Sequence, residues 1–499
     1  MEEQSDPILA RRQKLEQWRA AGVDPFALER YERTHPAREA VAAFDALEGG
    51  TVSLAGRITA LRAMGKATFL DLTDESGRIQ LYFKRDRFGE DRYALTRLLD
   101  LGDLIGVKGE LFRTRTGEIT VDVAEFTPLA KALRPLPFPK EKEGHEYYGL
   151  QDVEQRYRQR YVDLAVHPGA REHFRRRSRI VAGIRRFLDA RGYLEVETPV
   201  LQAVAGGAAA KPFMTHHNAL DSDFHLRISL ELYLKRLIVG GFEKLYEIGR
   251  VFRNEGISTR HNPEFTMLEL YEAYANLEDV MALVEQLLLT LAHELYGTPA
   301  IPYGEGTIDV TPPWRRLPML EGIREYTGVA PEAFATFEGA RAAGERLGLD
   351  MSHDAQTGGM IEKIHERFVQ PHLTAPTFIT DFPLETSPLA KKNPHNPALV
   401  RRFEGYIACQ EIANAFSEIN DPDDQRERFL QQAQLAARGD AEAHPMDEDF
   451  LRALAYGMPP TGGLGIGIDR LVMVLTDAES IRDVLLFPQM KPEAARDEG

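Results

Sequence analysis

The sequence has a single cysteine, Cys409, among 499 residues. One thiol can neither close an internal disulfide nor build a cysteine-cluster zinc site, which fits a reducing compartment. Cys409 itself reads as a small, buried apolar filler. No uncharged apolar run approaches the ~20 residues that span a bilayer. The acidic start, Met1-Glu2-Glu3-Gln4-Ser5-Asp6, followed by Arg11-Arg12-Gln13-Lys14, lacks the apolar core of a secretory signal. No membrane association is expected, and the cytoplasm is the expected location. Phosphate-cradling loops are missing too. No Gly-x-x-x-x-Gly-Lys-Ser/Thr occurs, and the glycines near 465 do not follow the dinucleotide spacing. Internal repeats and low-complexity tracts are absent.

Basic charge is in short supply, with 61 Lys and Arg against 77 Asp and Glu, a net charge of −16. That argues at first against a nucleic-acid partner, because phosphate binding ordinarily shows as a basic surface. The distribution softens the objection. Residues 1–150 carry 23 basic against 25 acidic residues, a net of −2, and the remainder carries 38 against 52, a net of −14. The amino-terminal part can therefore still present a local basic face.

With 43% hydrophobic residues, a chain this long buries more than one core, and length alone suggests about three domains. An apolar-patterned helix is predicted over Ile8 to Ala20, ended by Gly22 and Pro25. From Thr51 to Phe126, short alternating runs are separated by Gly and Asp turns at barrel-like spacing. Five such strands suggest an oligonucleotide-binding barrel, with a small structural β-domain as the alternative. Leu133 to Pro139 has proline at every second position and reads as an extended linker. A basic helix over Arg171 to Arg191 follows, and helices then alternate irregularly with strands. The stretch Val310 to Thr377 has weak, mixed patterning and is assigned no function.

Two segments about two hundred residues apart carry chemistry. Phe252 to Phe265 (FRNEGISTRHNPEF) has apolar alternation on either side of a polar middle containing proline. It reads as two antiparallel strands joined by a long loop that closes over a ligand, with Arg253 at the root. Gly462 to Arg470 (GGLGIGIDR) places glycines at 463, 465 and 467 just before an arginine that opens a helix, so side-chain-free backbone lies beside a cation. Taken singly, the first is equally a solvated hairpin and the second a plain turn. Together they describe a nucleotide site built from arginines.

These segments resemble motifs two and three of the class II aminoacyl-tRNA synthetases, and Tyr193-Leu194-Glu195-Val196-Glu197-Thr198-Pro199 resembles motif one. The lysyl-type subgroup fits best, through Gly206 to Phe213 (GGAAAKPF) and Glu411 to Glu418 (EIANAFSE). The resemblance runs from the amino-terminal domain to Pro488 and lowers the domain count to two. It implies an α+β chain. Residues 1–132 would be an amino-terminal helix and a five-stranded OB-fold anticodon-binding domain, residues 133–152 a linker, and residues 153–499 a class II catalytic domain with an antiparallel sheet flanked by helices.

The resemblance implies ATP-dependent attachment of L-lysine to tRNA(Lys) through a lysyl-adenylate, in a homodimer joined through motif one. Arg253 would bridge the α-phosphate and the amino acid carboxylate, and Arg470 would lie against adenine and reach the γ-phosphate. An arginine suits that role because its planar group stacks as well as pairs. Glu255, His261, Asn262 and Phe265 would also contact ATP, although His261 alone reads as an ordinary loop histidine. Glu404 and Glu411 match the positions that hold Mg²⁺ on the triphosphate, a hard cation that takes carboxylate and phosphate oxygens. On one regular strand an offset of seven would point them to opposite faces, so a bulge or bend is expected, with Gly405 the obvious place.

The implied amino acid pocket is acidic. Glu418 and Tyr271 would hold the side-chain ammonium, Glu231, Glu269 and the Gly207 backbone the α-ammonium, Asn414 would assist Arg253, and Phe416 would line the stem. Glu269 and Tyr271 share strand parity with Phe265 and so face one side. A substrate with two ammonium groups explains several buried carboxylates, since an unpaired buried charge is costly. An aspartate-specific relative would need basic residues on this face, and none occupies those positions. Ala413 and Ala415 stand where glycine is often seen, a minor departure. On the barrel, Phe69 would stack on a central uridine, with Gln80 reading its edge and Arg57 contacting a neighbour. Periodicity by itself would place Phe69 in the core. A lysine-transferring paralogue that modifies proteins lacks the barrel domain. A catalytically silent RNA-binding protein would have lost Arg253, Glu411 or Arg470, and all three are present.

Overall fold

The computed structural model describes residues 6–142, 145–147, 149–354, 356–438 and 443–493. Packing divides the chain into two units, Met1–Arg156 with Tyr161–Val166 and Tyr157–Arg160 with His167–Gly499. The sequence positions 1–5 and 494–499 lie outside the described residues.

In the first unit, helix α1 (Asp6–Ala20) buries Trp18 in the same core as the strands that follow. Those strands, β1 (Thr51–Met64), β2 (Ala67–Thr73), β3 (Arg78–Lys84), β4 (Leu104–Arg113) and β5 (Ile119–Ala130), form a closed barrel in the order β1-β2-β3-β5-β4. Closure leaves no open edge, and alternate residues such as Leu70, Leu72, Ile79, Leu81 and Phe83 point inward and are fully buried. Lys131, just past β5, is buried beneath Trp18 and paired with Asp100 and Asp103 at 2.6 and 2.7 Å. Residues 131–139 carry no helix or strand, as alternating prolines require.

The second unit begins with α2 (Pro168–Asp189), which starts three residues before the predicted Arg171 because Pro168 occupies its first turn. Short β6 (Leu194–Glu195) follows, then α3 (Glu231–Val239), β7 (Lys244–Phe252) and β8 (Glu264–Ala273). Helix α4 (Leu277–Tyr296) opens on a capping box from Asn276 and Asp279 and closes on the left-handed Gly297. The chain continues through β9 (Arg315–Pro318), β10 (Thr377–Thr380), β11 (Arg402–Ile407), β12 (Gln410–Ser417), β13 (Thr461–Gly467) and α5 (Ile468–Thr476). One eight-stranded sheet runs β9-β10-β11-β12-β13-β8-β7-β6. Its centre is antiparallel, and only the outermost pair at each edge is parallel. Apolar residues of α2, α4 and α5 cover one face in a single core. No helix among the described residues is long and apolar enough to cross a membrane.

Two readings from the sequence need correction. Cys409 is not a buried filler. It sits half-exposed in the two-residue turn between β11 and β12, where Ala408 and Cys409 both take positive φ (53° and 60°), and its thiol donates to the Pro371 carbonyl. That same turn places Glu404 and Glu411 on neighbouring strands instead of on one.

Asp469, in the first turn of α5, ties the core to the sheet. It accepts from the Thr266 backbone N–H at 2.8 Å and pairs with Arg177 of α2 at 2.6 Å, while only 2% exposed. Removing one member of a buried pair strands the other. Asp469→Ala is expected to lower the unfolding free energy by about 3 kcal/mol, read as a drop in the urea midpoint at unchanged slope.

Candidate functional site

Three contiguous cavities lie on the open face of the central strands. The first, about 220 Å³, is walled by odd-numbered residues of β8, even-numbered residues of β12 and the glycines of β13. Register explains why. Glu269 and Asn414 both sit opposite Gly465, and Tyr271 and Phe416 both sit opposite Gly463. The glycine strand leaves the space that the larger side chains on either side enclose. A Cβ on Gly463 would fall 2.0 Å from Glu418 Oε1 and 2.6 Å from the Tyr271 ring, so no other residue fits.

Gly207, Glu231, Glu269, Tyr271, Asn414, Phe416 and Glu418 all line this first cavity, so the structure brings the whole predicted set together. Glu269 accepts from Ser229 Oγ at 2.9 Å, from the Leu230 N–H at 3.1 Å and from the Tyr271 hydroxyl at 3.2 Å. Burial, with the Glu231 charge adding to it, nevertheless pushes its carboxyl up to about 7. Burial likewise raises Glu231 and Glu418, and raises the Tyr271 hydroxyl well above its usual range.

Two cations on or behind this wall escaped the sequence reading. Arg402 lines the cavity at a position the sequence did not single out, beside the acidic positions that carry no basic residue. Its guanidinium is already engaged, donating to Asn414 Oδ1 at 3.2 Å, Ser387 Oγ at 3.0 Å and Glu404 Oε1 at 2.5 Å. Lys235, one helical turn after Glu231, is fully buried and pairs with both Glu231 and Glu418. The four-residue spacing on a helix was the available signal.

The second cavity, about 240 Å³, shares Arg253, Met267, Asn414 and Gly465 with the first. Arg253 stands at this common wall with its guanidinium 5.2 Å from the Phe265 ring centre and Nε donating to the Ile228 carbonyl. The long loop that carries it is closed by backbone bonds from Arg253 N to Pro263 O and from Ser258 N to His261 O. Glu255, His261, Asn262, Phe265 and Arg470 all line the cavity. Asn262 differs from the others: its amide donates to the Glu264 carbonyl and accepts from the Gln489 N–H, so its polar atoms already hold backbone. Arg470 bonds His261 Nε2 at 3.2 Å and pairs with Glu411 at 3.1 Å. Burial, followed by the Arg470 charge, holds the His261 imidazole below its ordinary value.

The third cavity, about 310 Å³, contains Glu404 and Glu411 together and shares His261, Glu411 and Arg470 with the second. The β11–β12 register slips between Gly405 and Tyr406, so that Gly405 faces Ala413 while Tyr406 faces Glu411. The irregularity thus falls at the expected glycine, within a hairpin. Glu404 accepts from Arg402 and, at 2.6 Å, from the Tyr406 hydroxyl. Burial and then the Glu411 charge raise its carboxyl. Among the described residues, no group of three or more His, Cys, Asp or Glu has the geometry of a protein-only metal cage. Two carboxylates on the wall of one cavity suit a hard cation that shares oxygens with a bound phosphate. The stretch 310–377, which carried no prediction, supplies Glu362, His365 and Gln370 to this wall.

On the barrel, Arg57, Phe69 and Gln80 are all partly exposed and absent from its core. Phe69 stacks on Tyr82 with centroids 4.7 Å apart and planes 20° apart, and Tyr82 leads on to Phe112 at 6.1 Å. Gln80 Oε1 accepts from Thr120, and Arg57 donates to the Gly102 carbonyl.

The comparisons agree with this arrangement. The model of the tRNA synthetases class II (D, K and N) matches residues 152–491, and that of the OB-fold nucleic acid binding domain matches residues 52–129. The chain is 54% identical over 493 residues to a lysine–tRNA ligase of Moorella thermoacetica, covering 99% of each. It is 52% identical over 497 residues to one of Bacillus subtilis, covering 98% of each. An acidic cavity joined to an arginine-lined one, on a sheet whose sequence matches relatives along nearly its whole length, has one consistent assignment: the chain belongs to the class II tRNA synthetases, in the lysine–tRNA ligase family.

Proposed function

We propose that the chain joins L-lysine to tRNA(Lys) in two steps, using ATP, for protein synthesis. The observation that carries this reading is the acidic first cavity opening onto the arginine-lined second one across Arg253. Lysine lies in the first with Glu418 and Tyr271 at its side-chain ammonium, Glu231, Glu269 and the Gly207 backbone at its α-ammonium, and Phe416 along its stem. Asn414 and Arg253 take its carboxylate. ATP lies in the second, with adenine between Phe265 and Arg470 and with Glu255, His261 and Asn262 around it.

A lysine carboxylate oxygen attacks the α-phosphorus, and pyrophosphate leaves with the bond it held. A tRNA 3′-terminal hydroxyl then attacks the adenylate carbonyl and releases AMP. Arg253 is positioned for both anions, and fixed cations aimed at charge that grows in the transition state are the main catalytic device of such a reaction. No side chain serves as a covalent nucleophile. Glu404 and Glu411 would hold Mg²⁺, which supplies charge neutralisation on the phosphates when bound.

Residues 1–132 act as the anticodon-binding domain, with Phe69, Gln80 and Arg57 as its contacts, residues 133–152 as the linker, and residues 153–499 as the catalytic domain. The exposed apolar residues Leu194, Leu201, Met214 and Leu220 around motif one support a homodimer through that surface. The reaction belongs in the cytoplasm.

Magnesium-dependent ATP–pyrophosphate exchange across the twenty amino acids tests the reading. Exchange is expected with lysine alone, and Glu418→Gln is expected to lower kcat/KM for lysine by at least about a hundredfold, the scale for removing a buried charged partner. Exchange with aspartate or asparagine would overturn the specificity, and no exchange with any amino acid would overturn the activity.

Lysine affinity is expected to depend on pH through Glu269. Its folded value of about 7 lies above the ordinary 4.5, so below pH 7 the empty protein favours the protonated form, and its stability falls as pH rises from about 4.5 through 7. An ammonium favours the carboxylate, so lysine binds more tightly as pH rises from 6 to 8 and releases protons as it binds. Calorimetric titration in buffers of different ionisation enthalpy reads that release, and a buffer-independent heat would contradict it. On the barrel, Phe69→Ala is expected to cost about 1–3 kcal/mol of tRNA binding, read as a higher KM for tRNA at unchanged lysine-dependent exchange.

A further inference from the structure

Lys235 is a buried charged group behind the acidic chamber that the reaction outlined above does not use. Its side chain is fully buried in α3, its ammonium pairs with Glu231 on the same helix and with Glu418 just beyond β12, and the Phe450 ring lies 5.9 Å away. It does not line the cavity, whereas both of its partners do. A buried ammonium costs several kcal/mol to desolvate and is retained only when firmly paired. Here burial would lower Lys235, but Glu231 and Glu418 outweigh that and hold it above its ordinary value.

The pairing divides the labour within each carboxylate. Lys235 takes Oε1 of Glu231 and Oε2 of Glu418. Glu418 Oε1 instead faces the cavity, because it lies where a side chain on Gly463 would have to go. Of the cations on the wall, Arg402 is paired with Glu404 and Arg253 stands at the boundary with the second cavity. Once a ligand's own ammonium groups draw all three carboxylates into their ionised form, one fixed ammonium leaves two negative charges at the ammonium-binding end.

We propose that Lys235 is a positioning residue for substrate selection: by holding one oxygen of Glu231 and one of Glu418 it favours the ionised form of both carboxylates, leaves their other oxygens to the cavity, and matches its charge to a ligand with two ammonium groups. The inference rests on the reading of this cavity as the lysine pocket. Without Lys235, the three crowded carboxylates lose their shared fixed cation, and at least one holds its proton more tightly. Glu269 and Tyr271 face Glu231 from β8, and Arg402 acts on it from β11. None of them can replace a cation that lies between Glu231 and Glu418. An incoming ammonium must then displace that proton, which costs tenfold in affinity for each pH unit separating the raised carboxyl from the assay pH.

The test is lysine-dependent ATP–pyrophosphate exchange in the parent protein, Lys235→Met and Lys235→Gln, with folding checked by thermal unfolding. The first variant keeps most of the volume, and the second keeps two hydrogen-bond donors, while both remove the charge. Both variants are expected to raise KM for lysine at pH 7 by at least about tenfold, with kcat within about threefold and KM for ATP within about twofold. The rise should shrink between pH 7 and 9 as the carboxyls ionise. Discrimination between lysine and norleucine, which has the same stem without the ammonium, should fall in parallel. A parent protein inactive with lysine would sink the pocket reading itself. An active parent with folded variants whose lysine KM and norleucine discrimination match it would overturn only the role of Lys235. So would a KM rise that does not change with pH, and so would failure of both variants to fold even with saturating lysine, since each outcome makes the residue merely structural.

Discussion

The architecture of the reacting face depends on one steric constraint, the alignment of a glycine strand between two strands of large polar side chains. Residues 463, 465 and 467 of β13 lie opposite residues 271, 269 and 267 of β8, and residues 463 and 465 also lie opposite 416 and 414 of β12. Because strand side chains alternate faces, a one-residue slip of the glycine strand would put Leu464 and Ile466 where Gly463 and Gly465 leave space for the cavity. The glycines leave depth, and their neighbours supply the chemistry. Covering the opposite face with α2, α4 and α5 makes that register the only one that buries the apolar residues of these strands.

Depth brings an electrostatic consequence. Carboxylates placed under a sheet resist ionising, as the raised Glu231, Glu269, Glu418 and Glu404 illustrate. Each is offset by a buried donor: Lys235 for Glu231 and Glu418, Ser229 with Tyr271 for Glu269, and Arg402 with Tyr406 for Glu404. Arg402 has a second consequence. By bonding both Asn414 and Glu404, it links the wall of the first cavity to the carboxylates of the third, so the two ends of the reacting groove share one hydrogen-bonded chain.

The parts of this arrangement that were legible in sequence obey short-range rules. Alternation in Phe265, Glu269 and Tyr271 fixed which side chains share a face, and the loop root at Arg253 followed from apolar runs flanking a polar centre. The barrel followed from five alternating runs and their turns. Phe69 was ambiguous, because alternation says that one face is inside without saying which. Once the barrel closes, the inner face is set by Leu70 and Leu72, and Phe69 lies outside against Tyr82. Cys409 was misjudged because composition favours burial of thiols, whereas a two-residue turn with positive φ exposes whatever occupies it.

Sequence by itself determined the family, the order of elements, the acidic character of the pocket and the parity of its residues, since each is carried by local pattern or by motif. Only the tertiary structure decided which charges meet. Lys235 reaches Glu418 across 183 positions of sequence, Arg402 meets Asn414 across a hairpin, and helices from the 310–377 stretch wall a cavity with Glu404 and Glu411. Contacts of that kind depend on the depth and direction of side chains once the sheet has formed, and local periodicity carries no information about depth.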